Sequence, residues 1–132
     1  MMGGIEMADL QALMTWTFMI EVATPPEVLA RLIPGETAWV SYKTIRDTAT
    51  VTNKRIIIAD KQGIMGNKIE VYTIPFKSIV MYSTENAGSF LDFNAELEMW
   101  TKAGKFKLNL AKGIDVAKLD RLVAAGIFGS SD

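Results

Sequence analysis

Glu96 and Glu98 stand two residues apart, a spacing that sets both carboxylates on one face of a strand, with Asp92 further along the same face. Paired carboxylates can exchange protons with a substrate or hold a hard divalent cation. Neither chemistry has its usual company here. The 132-residue chain contains no histidine and no cysteine. That removes the commonest general base near neutral pH, the thiolate nucleophile, the nitrogen and sulfur ligands of transition metals, and disulfides. Gly63 and Gly66 fall between strands rather than between a strand and a helix, so they build no phosphate-binding loop. The acids therefore read as a solvated sheet face in which Glu98 meets Lys107. No catalytic residue, no cofactor and no metal are expected.

Charge is the second chemical resource. The net charge is −1, which excludes the strongly basic surface of a dedicated nucleic-acid binder. It is unevenly spread. Residues 43 to 77 hold seven basic against three acidic side chains, and residues 78 to 100 hold four acidic and no basic ones. Lys43, Arg46, Lys54 and Arg55 form a candidate cationic cluster. It could meet anionic lipid headgroups, or one side of a head-to-tail contact between copies, or serve only solubility.

These side chains need elements to hold them. From Glu36 to Leu110 the pattern alternates with period two, as half-buried strands do. Asn53-Lys54 is a two-residue turn that pairs Val51 with Ile56 and Ala49 with Ile58. Asp60-Lys61-Gln62-Gly63 reads as the next turn. The hairpin over residues 91 to 110 has one consistent register: Trp100 opposite Lys105, Met99 opposite Phe106, Glu98 opposite Lys107. A slip of one residue would set Met99 against a lysine. Asp115 caps a last helix over 115–125, with Gly126 as its stop. Before the strands, Thr24-Pro25-Pro26-Glu27 is a capping box for a helix over 25–33. Residues 9 to 23 fit either a helix opened by Asp9 and Leu10, apolar nearly all round, or a strand in which Trp16, Phe18, Ile20 and Val22 alternate. The helix is preferred. The division is an N-terminal extension over 1–35 and a domain over 36–128, with strands in 36–111.

About seven closely spaced antiparallel strands and a covering helix suit a partly open barrel. Ile45-Arg46-Asp47, Thr52-Asn53-Lys54-Arg55, Asp60-Lys61-Gln62-Gly63, Ile74-Pro75-Phe76 with Ser78-Ile79, and Ala95-Glu96-Leu97 with Trp100 occur in one order. That order resembles the bacterial pleckstrin-homology-like domain family. The resemblance implies a mostly β, two-sheet barrel with a C-terminal capping helix, and assembly into homo-oligomeric rings. It does not imply a ligand.

The expected function is that of a non-enzymatic binding or scaffold module that self-associates. The alternative is a peripheral membrane domain using the cationic cluster. The apolar N-terminal segment offers contact residues in Met14, Trp16, Phe18 and Met19. Trp100, on the polar face of its hairpin, either lies under Lys105 or touches another chain. Partners are then a second copy, another protein or anionic lipid, and no nucleic acid. The start Met1-Met2-Gly3-Gly4-Ile5-Glu6 lacks the positive region of a secretory signal. The apolar stretch from Ala12 to Ala23 is short of the roughly 20 residues that span a bilayer. A cytoplasmic location is expected, with attachment to a membrane surface open.

Overall fold

Among the described residues eight strands form one continuous, unclosed sheet. The structure is a computed structural model and describes residues 12–62, 68–86 and 93–129. Asp9, Leu10, Gly63, Gly66, Leu91 and Asp92 lie outside the described residues. In chain order the strands are β1 (Ala12–Val22), β2 (Ala38–Thr44), β3 (Asp47–Thr52), β4 (Arg55–Gln62), β5 (Lys68–Pro75), β6 (Ile79–Asn86), β7 (Phe93–Thr101) and β8 (Gly104–Ala111). Helix α1 (Pro26–Leu29) follows β1, and α2 (Val116–Gly129) ends the chain. The sheet order is β5-β4-β3-β2-β1-β8-β7-β6. Two antiparallel meanders thus flank β1, which pairs antiparallel with β2 and parallel with β8.

The helix preferred for residues 9–23 is therefore corrected to a strand, and the supposed extension supplies the centre of the sheet. The physical reason lies in its two sides. Trp16 and Phe18 are buried and pair with Leu108 and Leu110, so one side faces the core. Neighbours on both edges satisfy the backbone, which suits β-branched and aromatic residues. The helix over 25–33 shrinks to the single turn of α1. Thr24 does not cap it; its hydroxyl pairs with that of Ser41 at 2.8 Å, which in turn pairs with Thr50 at 2.8 Å. The turn placed at Asp60 moves outward, because Asp60 belongs to β4 and is buried.

The register of the last hairpin is as its alternation requires: Trp100–Lys105, Met99–Phe106 and Glu98–Lys107. Val51–Ile56 and Ala49–Ile58 pair likewise. One face of the sheet makes the core. Phe18 stacks on Tyr42 with ring centroids 4.9 Å apart, and Leu97, Met99, Leu108 and Leu110 are fully buried beside them. Burial pushes the Tyr42 hydroxyl up from its ordinary pKa. Helix α2 covers this face through Leu119 and Val123. Asp115 caps it, its carboxylate accepting from the Lys118 amide at 3.0 Å.

Gly126 does not stop α2. It is buried inside the helix, where a methyl group would overlap the ring of the fully buried Phe76. Gly126→Ala is thus expected to destabilise the fold by about 1–3 kcal/mol, despite alanine's better helix propensity. Urea denaturation would check this, and Phe76→Leu in the same chain should recover part of the loss.

Candidate functional site

The two carboxylates of β7 are committed to lysines. Lys107 Nζ lies 2.8 Å from Glu96, and Lys105 Nζ lies 3.0 Å from Glu98. Each bond runs diagonally across the hairpin rather than straight across. The hydrogen bond to Glu96 holds the Lys107 ammonium above its ordinary pKa. A carboxylate already paired this way is a poor proton acceptor for a substrate. Among the described residues no three acidic side chains group as a metal site.

The cationic cluster does not come together. Lys43 and Arg46 flank the β2–β3 turn, while Lys54 and Arg55 sit at the β3–β4 turn, the other end of a six-residue strand roughly 20 Å long. Both arginines serve the fold. Arg46 Nε lies 2.7 Å from the buried Asp60 and donates to the Lys61 carbonyl. Arg55 Nε donates to Glu36 at 2.8 Å, and its Nη2 bonds Glu36 and the Arg31 carbonyl. The Glu36 side chain is wholly buried. Burial alone would raise its carboxyl. The bonds from Arg55, the Thr52 hydroxyl and the Ile33 amide, with the charge of Arg55, outweigh burial and lower it to about 2. Lys43 and Lys54 remain exposed.

The expected contact residues are also redistributed. Trp16 and Phe18 are core, and Met14 is half-buried against it. Trp100 is 4% exposed, and Lys105 Nζ lies 5.6 Å from its ring centroid. Of the two roles open to it, the place under the lysine is the one observed. Only Met19 of the five is exposed, at 44%.

Met19 has company that alternation alone does not reveal. A bulge lies between Phe18 and Ile20, where Phe18 pairs with Thr44 and Ile20 with Lys43. Opposing two residues to one lets Met19 and Ile20 crowd the outer face together. Leu13 is exposed further along β1. Ile45, 72% exposed in the β2–β3 turn, lines a shallow hollow with Thr15, Thr17 and Arg46. The outer side of β1 therefore carries exposed apolar residues as a broken stripe, Leu13 at one end and Met19–Ile20 at the other with Thr15 and Thr17 between them and Ile45 beside, bordered by Lys43 and Arg46. The signal available in the sequence was the consecutive apolar pair Met19-Ile20, which breaks strand alternation.

Comparison with known proteins matches this architecture. The chain is 44% identical over 82 residues to the uncharacterized protein YjqA of Bacillus subtilis, a stretch covering 61% of this chain and 65% of that protein, just under two thirds. A protein with a pleckstrin-homology domain from Shewanella loihica superposes with a TM-score of 0.71 at 33% identity, over 82% of this chain and 96% of that one. A pleckstrin-homology domain from Shewanella amazonensis does so at 0.60 and 34%, over 76% and 82%. Among the described residues no helix is long and apolar enough to cross a membrane. The bacterial PH domain model matches residues 9–127, a span that takes in β1 and ends within α2, and the chain belongs to that family.

Proposed function

We propose that the protein is a non-enzymatic PH-domain scaffold that self-associates head to tail into a homo-oligomeric ring, with the outer stripe of β1 as one side of the contact. The observation that carries this is the stripe itself: Leu13, Met19, Ile20 and Ile45, all exposed around one strand. Burying such a side chain is worth roughly 1.5–3 kcal/mol. The lysine and arginine at its border set orientation more than strength. Two of the four cations are already paired with buried carboxylates, which favours a second copy over a lipid headgroup.

Native mass by light scattering tests the proposal. The wild-type particle should be a multiple of 14.6 kDa and should persist in high salt, since apolar burial is not screened. Met19→Asp with Ile20→Asp should reduce it to a folded monomer that still melts cooperatively, at a lower midpoint because assembly no longer stabilises the native chain. A wild-type monomer at every concentration would overturn the reading.

The second reading, an anionic membrane surface, draws on the same stripe. Ile45 at the tip of a turn between Lys43 and Arg46 could enter a bilayer while the cations meet headgroups. Here the monomer binds anionic vesicles, salt releases it, and Lys43→Glu abolishes binding without altering particle mass.

A further inference from the structure

The run Ile56-Ile57-Ile58 is apolar on both faces of β4. Ile56 and Ile58 belong to the core, so Ile57 and Ala59 face the outer side of the sheet, with Val71 of β5 beside Ala59. Outer faces are ordinarily solvated, yet Ile57 is 1% exposed. Val28 of α1, also buried, shares a pocket of about 150 Å³ with it. Ile57, Ala59 and Val71 make the floor, and Val28 and Ile69 the walls. Helix α1 is a single turn and covers this apolar ground only in part, for Ile69 on β5 is 55% exposed. Glu27 and Arg31, both exposed, stand at the rim. Their spacing of four would let them pair along a helix, but α1 ends at Leu29. Among the described residues neither side chain makes an ion pair. The bond from Arg55 goes to the Arg31 carbonyl and leaves its guanidinium aside. Asp47 closes one end, but it pairs with Asp60 and alternates with the core residue Ala49, so its carboxylate belongs to the inner face. The pocket thus offers an apolar floor under one charge of each sign.

We propose that this pocket binds a free apolar α-amino acid of about the size of leucine, with its side chain on the floor, its ammonium at Glu27 and its carboxylate at Arg31. A cavity of this volume accepts a benzene ring, so an isobutyl or phenyl group fits and an indole is too large. Apolar contact supplies most of the affinity, and the two rim charges select a ligand that carries both signs on one carbon. A lone amine or a lone acid would satisfy one rim side chain and leave the other without a partner. Strands β2 and β3 separate β4 from the β1 stripe. The inference goes beyond self-association and does not depend on it.

The test titrates the full chain with leucine and follows the methyl groups by NMR. Shifts should saturate with a Kd of about 1 mM or tighter and centre on Val28, Ile57, Ala59, Ile69 and Val71. Isoamylamine, which lacks the carboxylate, and 4-methylpentanoate, which lacks the ammonium, should each bind about fivefold more weakly or worse. Arg31→Gln should bring leucine down to the level of the amine, and Glu27→Gln to the level of the acid. Both positions are exposed, so both melts should stay as in wild type. Ala59→Leu fills the floor from below and should abolish binding. Should that variant fail to fold, the two rim variants still decide. Three results would overturn the proposal: no saturable shift at about 20 mM leucine, shifts centred elsewhere, or equal binding of leucine, the amine and the acid. Binding of N-acetyl-leucine or leucinamide as tight as that of leucine would also overturn it, by assigning the pocket to the end of a peptide.

Discussion

Leu97→Asp should leave no cooperative thermal transition, while Glu98→Gln on the next residue should keep a cooperative melt at a lower midpoint than wild type. Leu97 is fully buried between Thr84 and Leu108. The substitution removes a core leucine, a loss of about 2–5 kcal/mol, and sets an unpaired carboxylate in its place. Domains of this size are stable by only about 5–15 kcal/mol in all. Glu98 faces the other side, where it pairs with Lys105, whose side chain is only 10% exposed; Glu98→Gln leaves that lysine a neutral acceptor in place of its carboxylate, a smaller loss than a carboxylate set in the core. Circular dichroism melts would decide it, and the reverse ranking would mean that the two faces of β7 are misassigned.

Removing Glu36 is expected to have the next largest effect. Its carboxylate is the centre of a network that joins the end of the α1 segment to β3 and β4. Glu36→Ala leaves Arg55 without its carboxylate and frees the Thr52 hydroxyl and the Ile33 amide. Breaking a buried pair from one side costs about 3–5 kcal/mol. The same group sets an acid limit. Its folded pKa, about 2, lies below the ordinary 4.5. Its contribution is therefore complete above about 4.5 and is lost as pH falls toward 2. The shift corresponds to about 3 kcal/mol. Urea midpoints measured from neutral pH down to about 2 should fall over that window in wild type. In Glu36→Gln, which keeps the shape but cannot ionise, the fall should be much shallower.

The parts of the fold legible in the sequence are those in which one face of a strand is apolar and the other is not. In the last hairpin a slip of one residue would turn Lys105 and Lys107 toward the core face, away from Glu98 and Glu96, so a single register is possible. The same holds where β3 meets β4. Strand β1 resisted because both of its sides are partly apolar: Trp16 and Phe18 inward, Met19 and Ile20 outward, with a bulge that breaks the period between them. Its neighbours also lie far off in sequence, and local pattern carries no trace of them. Long range explains the cations as well. Arg55 reads as a turn residue until Glu36, nineteen positions earlier, is brought against it. The pairing of the β7 carboxylates with the β8 lysines was legible, whereas the burial of Trp100 and Lys105 on that face was not, since polar neighbours in sequence said nothing of it. Of the candidate contact surface, Met19 and Lys43 were readable from residue types, and the stripe that joins them needed the sheet.

The central position of β1 has a kinetic consequence. Trp16 meets Leu108 across the parallel ladder, about ninety residues later in the chain. At synthesis rates of about 5–20 residues per second, β1 leaves the ribosome some 5–20 seconds before its second neighbour exists. In that interval β1 to β5 can pair as a meander, but its inner face has no β8 and no α2 over it. Trp16, Phe18 and Tyr42 then look outward beside an open parallel edge. Non-local strand pairing of this kind also slows refolding into the range of milliseconds to seconds. The first half of the nascent chain, rather than the finished domain, is where a chaperone would find something to hold.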